Sequence, residues 1–309
     1  MKYASLIYTT SSNLGDQIQS LALEQFLPSI DDKFDRDYLS EVNNKEKHLL
    51  IMQGWFSHLP EKCFPPSDSI IPVFFGFHIT DWNESIEHFS KPQSIDYLKL
   101  HEPVGCRDKK TMEMLIEKGV NAFYSKCLTL TFPKREFEPE NGKVFLVNMK
   151  GVKIPESVSK DSISLSHDVY PFWDEEVKYL MAKQLIKLYR EKARLIVTTK
   201  LHCALPCIAM GIPVVFFGNP DDYRISLIKD LKIPIYPIQE EKKIKPVSIT
   251  QRIKLKLFKN LKIYQKAEIT EEATVVNWNP IAVSIEYEKD EIVKNVKYLI
   301  HNNIKNVYS

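Results

Sequence analysis

Four short stretches carry side chains that could do chemistry together. In LIVTTKLHCALPCIAMGIPVVFF (195–217) an apolar run ends in Thr198-Thr199, and Lys200 and His202 open the helix behind it. A helix N-terminus disfavours imidazolium and a bound anion favours it, so His202 is placed to change protonation state near neutral pH. In PVGCRD (103–108) Arg107 ends a second apolar run and Asp108 begins the next helix. A guanidinium at that edge suits bidentate binding of phosphate or carboxylate, and the structural alternative is an ion pair with Asp108. In SSNLGD (11–16) small polar residues run straight into a helix. The first N–H groups of such a helix lack partners and attract anions or hydroxyls. There Ser12 or Asn13 caps, Gly15 permits close approach, and Asp16 orients the loop or accepts a proton. In NPDDYR (219–224), Arg224 reaches the pocket of His202 if the strands before them are neighbours.

These four stretches share one setting: each follows an apolar run and opens a helical pattern. Strands are expected at 3–8, 48–53, 70–77, 103–107 and 127–132, with helices at 14–27 and 109–119, the latter stopping on Gly119. The polar stretch PKREFEPENGK (133–143) interrupts the alternation and reads as a linker. A second alternation follows: strands at 144–148, 162–166, 195–199, 213–217 and 233–238, a long helix at 173–193, and shorter helices at 201–210 and 222–231. Strands separated by single helices imply parallel sheets covered on both faces, and ligands of such sheets sit where strands end and helices begin.

The chain of 309 residues can bury one large core or two ordinary ones. Its 42 basic and 40 acidic residues nearly balance, which argues against nucleic acid as a partner. It has no apolar run long enough to span a membrane and no secretion-signal pattern. The triphosphate loop G-x-x-x-x-G-K-[ST], the dinucleotide motif G-x-G-x-x-G, HExxH and cysteine clusters are all missing, so no metal or cofactor is called for. Of the histidines, His167 and His202 look placed for chemistry. The five cysteines are odd in number and unpaired in spacing, as in a reducing cytoplasm. Cys203 and Cys207, four apart on one helix, read as small apolar fillers of a helix–sheet contact. Residues 242–266 carry nine Lys or Arg and no acid, with Ile249, Ile253, Leu257, Leu261 and Tyr264 near one helical face. Such a helix at 249–266 lies on an anionic membrane surface or packs on the domain with its basic side in water.

NLGDQIQSLA, PVGCRDKKTMEMLIEKGV, CLTLTF, ARLIVTTKLHCALPCIAMGIPVVFF and a late WNP (278–280), in that order, resemble the polysaccharide pyruvyltransferase family over most of 1–235. The resemblance implies an α/β fold of two Rossmann-like domains facing a cleft, as in B-type glycosyltransferases. The expected division is 1–135 on the acceptor side, 136–285 on the donor side, and a C-terminal helix within 286–309 crossing back to the first domain. The implied activity is transfer of pyruvate from phosphoenolpyruvate onto two hydroxyls of a sugar in a surface polysaccharide or its precursor. Arg107, His202 and Asp16 would be catalytic. Asn13, Gly15, Lys200, Arg224, Asp108 and Thr199 would bind substrate. Lys200 stands where the family commonly has arginine, which keeps the charge and loses the planar fork. The expected partners are phosphoenolpyruvate and a glycan or lipid-linked oligosaccharide, in the cytoplasm, with 249–266 touching the inner face of the membrane. Two other readings stay open on these residues: a nucleotide-sugar-dependent glycosyltransferase on the same frame, and a non-catalytic glycan-binding protein.

Overall fold

The computed structural model describes residues 1–238 and 275–308; the basic helix expected at 249–266 lies outside the described residues. Within them the chain is an α/β protein with two parallel sheets, of six and five strands. The first sheet holds β1 (Lys2–Ile7), β2 (Asp32–Asp35), β3 (His48–Trp55), β4 (Ile70–His78), β5 (Val104–Cys106) and β6 (Ala122–Tyr124), in the spatial order β2-β1-β3-β4-β5-β6. The second holds β7 (Lys143–Val147), β8 (Ser162–Leu165), β9 (Ala193–Thr198), β10 (Val214–Phe217) and β11 (Ile235–Tyr236), in the order β11-β10-β9-β7-β8. Five helices matter below: α1 (Gly15–Glu24), α2 (Lys109–Glu117), α3 (Glu175–Lys192), α4 (Leu201–Ala209) and α5 (Glu286–Tyr308).

Both sheets are Rossmann-like, and both reverse their winding once, between β1 and β3 and between β7 and β9. At such a reversal the loops leaving neighbouring strands part in opposite directions and open a crevice at the carboxyl edge. The central strands explain the stability of the frame. β3 is buried from His48 to Gly54, and β4 is buried along nearly all of Ile70–His78. Continuous apolar strands of this kind need helices on both faces.

The two sheets are tied together. Lys178 of α3 is fully buried, donates from Nζ to the carbonyl oxygens of Tyr8 and Pro171 at 3.0 Å each, and pairs with Glu175. Glu175 accepts in turn from the Tyr8 N–H at 3.0 Å. A buried pair satisfied on both sides in this way is costly to break from either side. The loop after β1 also bonds to the loop after β8: Leu14 N–H donates to the His167 carbonyl at 2.9 Å and Val169 N–H to the Ser12 carbonyl at 2.8 Å. Helix α5 packs against β4 of the first half, while its Lys289 Nζ donates to the Ala209 carbonyl of the second at 3.0 Å.

One expected strand is not a strand. CLTLTF forms a buried 3-10 turn at Leu128–Thr131, between α1 and α4. Alternating Leu and Thr suit either form. Local hydrogen bonds decide: Thr131 Oγ1 donates to the Leu128 carbonyl at 2.7 Å, and Leu128 N–H donates to Gln53 Oε1 at 2.9 Å. The short strands β2 and β6 escaped the sequence reading, and the helix expected at 222–231 divides into a turn at Tyr223–Ile225 and a short helix at Ser226–Asp230.

Candidate active site

The carboxyl ends of both sheets open on one cavity of about 390 Å³. Asn13, Asp16 and Gln19 follow β1, Trp55 ends β3, and His78, Thr80 and Trp82 stand at and beyond the end of β4. Arg107 follows β5. Thr199, Lys200, Leu201 and His202 follow β9, and Asp222, Arg224 and Ile225 follow β10. The strands before His202 and Arg224 are indeed neighbours, since β9 pairs with β10.

Three cations border this space, and they differ in what holds them. Arg107 is only 6% exposed, and among the described residues its guanidinium makes no ion pair or hydrogen bond; Nε is buried without a partner. Lys200 Nζ pairs with Asp168 at 2.7 Å, and Arg224 pairs with Asp222 at 2.7 Å. Both of those carboxylates belong to accessible loops, whereas among the described residues Arg107 has no salt-bridge partner to give up. Helix α4 adds its own field. Among the described residues, Leu201 N–H and His202 N–H have no hydrogen-bond acceptor, which leaves donors of the helix N-terminus at the cavity. Thr199 sits beside them and spends its hydroxyl proton on the Asn148 carbonyl at 3.2 Å.

His202 is 8% exposed. Burial, followed by the nearby charge of Arg107, holds its pKa well below the usual imidazole range. Its Nε2 lies 3.9 Å from Cys127 Sγ, and its Nδ1 has no partner among the described residues. Gly15 lets the two helices meet: a Cβ on it would stand 3.1 Å from His202 Cβ and 3.1 Å from Asn13 Nδ2. The N-cap of α1 is Leu14, with no side-chain cap, rather than the expected Ser12 or Asn13; Asn13 Oδ1, one residue earlier, accepts from Gly15 N–H at 3.1 Å.

Asp108 does not border the cavity. It caps α2, accepting from Thr111 N–H at 2.9 Å, and it grips His78 Nδ1 at 2.5 Å. Burial would raise its pKa, but the His78 bond and Arg107 outweigh burial and hold the carboxyl below the usual range. His78, absent from the sequence-based candidates, is therefore a cavity histidine with an orienting carboxylate. Burial and then Arg107 push its pKa down to about 4, against the pull of Asp108. Its place at the carboxyl end of an apolar strand was the available signal. The other histidine expected to act, His167, is a structural one: fully buried outside the cavity, it bonds Tyr189 Oη through Nε2 at 2.9 Å.

The neighbours of Asp16 on the remaining wall, Gln19, Arg36, Trp55 and Trp82, were not among the expected residues. Asp16 accepts from Ser11 Oγ at 2.5 Å and from Gln19 Nε2 at 3.1 Å, and lies 3.6 Å from Arg36 Nη1. Arg36 is almost wholly buried, gripped by Asp37 and stacked over the rings of Tyr8 and Trp55 at 5.1 and 5.5 Å. Trp82, 48% exposed, meets Trp55 edge-on with centroids 5.2 Å apart. Gln19 Oε1 and Trp55 Nε1 are buried without hydrogen-bond partners among the described residues. Gly54, at φ +120°, allows the β3 backbone to turn beside Gln19, whose Oε1 would lie 3.5 Å from any added Cβ.

A family profile described as polysaccharide pyruvyl transferase matches residues 13–222. The chain belongs to the polysaccharide pyruvyl transferase family. Family membership makes it a transferase that acts in polysaccharide biosynthesis. The matched span begins at Asn13, the first residue of the cavity wall, and closes at Asp222, two residues short of Arg224. Comparison with curated proteins gives no match. Among solved structures, this pyruvyl transferase is similar to a functionally uncharacterised protein from Klebsiella pneumoniae, at 15% identity and a TM-score of 0.47, over 76% of this chain and 92% of that one. Among the described residues, no group of three or more His, Cys, Asp or Glu is arranged to hold a metal, and no helix is long and apolar enough to cross a membrane.

Proposed function

We propose that this pyruvyl transferase moves pyruvate from phosphoenolpyruvate onto two hydroxyls of one sugar of a surface polysaccharide or its precursor, closing a cyclic ketal. The observation that carries this reading is Arg107: buried, on the cavity wall and without a salt-bridge partner among the described residues. A buried charge of this kind is costly until a ligand neutralises it. Phosphoenolpyruvate brings a carboxylate and a phosphate on a three-carbon frame. Arg107, Lys200, Arg224, Thr199 and the first N–H groups of α4 surround a space of suitable charge, and the donor displaces Asp168 and Asp222 from their partners. The acceptor then takes the wall of Asn13, Gly15 and Asp16, where Gln19, Trp55 and Trp82 combine polar atoms with aromatic surface, a common make-up for sugar sites. Asp16, held by Ser11 and Gln19, orients the sugar's hydroxyls.

His202 is the acid of this reaction. Its proton goes to the methylene carbon of the enol, the π pair forms the new C–H bond, and positive charge develops at the central carbon. A sugar hydroxyl attacks there. Phosphate leaves with the C–O bond pair, and the second hydroxyl closes the ring. Purified protein is to be incubated with phosphoenolpyruvate and candidate glycans while phosphate release and the mass of the pyruvylated glycan are followed. His202→Ala lowers turnover by on the order of 10²–10⁴ while the melting temperature holds. Wild-type turnover in that variant removes the assigned acid. Saturable binding of a nucleotide sugar, with none of phosphoenolpyruvate, replaces the reaction with glycosyl transfer.

A further inference from the structure

The proposed reaction needs a base as well as an acid, because each attacking hydroxyl must lose its proton. We infer that His78, held by Asp108, is the base that takes the proton of the first attacking sugar hydroxyl. This inference rests on the proposed pyruvyl transfer. His78 stands on the cavity wall at the end of β4, the strand between β3, which ends at Trp55, and β5, which leads to Arg107. Its Nδ1 is engaged by Asp108 Oδ2 at 2.5 Å, with Thr111 Oγ1 at 3.4 Å. Asp108 is itself fixed by the Thr111 N–H and hydroxyl, at 2.9 and 3.0 Å. A carboxylate on Nδ1 sets the tautomer: the ring hydrogen sits on Nδ1, and Nε2 keeps its lone pair. Among the described residues Nε2 has no hydrogen-bond partner, so the lone pair is available to a ligand. This is the arrangement in which an imidazole accepts a proton while a buried carboxylate stabilises the imidazolium that forms.

The proton balance closes with two histidines. The first hydroxyl gives its proton to His78 Nε2 as its oxygen bonds the central carbon, and His202 protonates the methylene carbon. The phosphate departs with the C–O pair and takes the proton held by His78. The second hydroxyl closes the ketal, and its proton restores His202. Donor and diol become ketal and hydrogen phosphate, with no proton left over and no other reactant required. Asp108 touches no substrate; it is a positioning residue.

The experiment compares wild type, His78→Gln, Asp108→Asn and the double variant. Phosphate release is measured with phosphoenolpyruvate and the methyl glycosides of gluco-, galacto- and mannopyranose, and phosphoenolpyruvate binding is measured by titration calorimetry. His78→Gln is expected to lower kcat by 10² or more while the donor's Kd stays within threefold, which also reports that the variant is folded. Asp108→Asn lowers kcat by tenfold or more. The double variant is no slower than His78→Gln alone, since the carboxylate acts through the imidazole; a purely structural carboxylate would make the two losses multiply. Retained kcat in His78→Gln, a donor Kd that weakens in step with kcat, or multiplying losses overturn the assignment. Wild type that releases no phosphate with any of the glycosides overturns the pyruvyl transfer itself and this base with it.

Discussion

His202 is held neutral by burial and by Arg107, yet an acid must carry a proton. A donor that neutralises Arg107 removes one cause of the depression and adds negative charge beside the ring, so the pKa rises in the complex. Between the pKa of the free ring and that of the complex, phosphoenolpyruvate binding is therefore expected to take up about one proton, and the affinity falls by up to about tenfold per pH unit across that window. Calorimetry in two buffers of different ionisation enthalpy measures this directly. Loss of the uptake in His202→Gln assigns it to this ring, and uptake that persists there contradicts the mechanism. At this scale the sequence was readable where a polar side chain stood out against its element: Arg107 and His202 at the ends of apolar runs, Asn13 and Asp16 before a helix. It was unreadable where a role depends on a distant partner. Asp108 looked like a ligand residue because it follows Arg107, and only the fold brings His78, thirty positions earlier, onto its carboxylate. Arg36, Gln19 and Trp82 carry no local mark at all.

Among the elements, the α1–α4 contact is the most exacting. The mouths of these two helices carry the residues assigned to the acceptor and the acid, and Gly15 is what lets them touch. Gly15→Ala puts a methyl 3.1 Å from His202 Cβ, a backbone-anchored atom that moves only if α4 moves. Overpacking of this kind costs roughly 1–3 kcal/mol. The better helix propensity of alanine returns at most about 1 kcal/mol. A net loss of up to about 3 kcal/mol is expected in urea unfolding, together with a lower kcat, because the displaced helix carries the proposed acid. Unchanged stability with unchanged kcat would mean the contact is slack. Hydrophobic periodicity made α1, α2, α3 and the long central strands legible. It failed at Leu128–Thr131, where four buried residues can be a strand or a turn and a hydrogen bond from Gln53 selects the turn.

For the molecule as a whole, two buried neutral histidines make stability depend on pH. In the unfolded chain both titrate near 6.5, while in the fold His78 titrates near 4 and His202 well below its ordinary value. Between these values the unfolded state binds more protons, so the stabilisation is present above about pH 6.5 and is lost as pH falls toward 4. Each ring contributes a slope of about 1.4 kcal/mol per pH unit in that window. Thermal melts between pH 7 and 4.5 are expected to show a steep drop in Tm, and His78→Gln removes roughly half of the slope; a flat Tm in the wild type contradicts the burial of both rings as neutral species. The division of the site between the sheets has a consequence of its own. Arg107, the proposed anion holder, follows a strand of the first sheet, and His202, the proposed proton donor, follows a strand of the second. A molecule whose halves stand slightly ajar offers the enol charge without a proton, or a proton without charge. In the proposed reaction the reactive cation would then form only with the halves together, out of reach of bulk water.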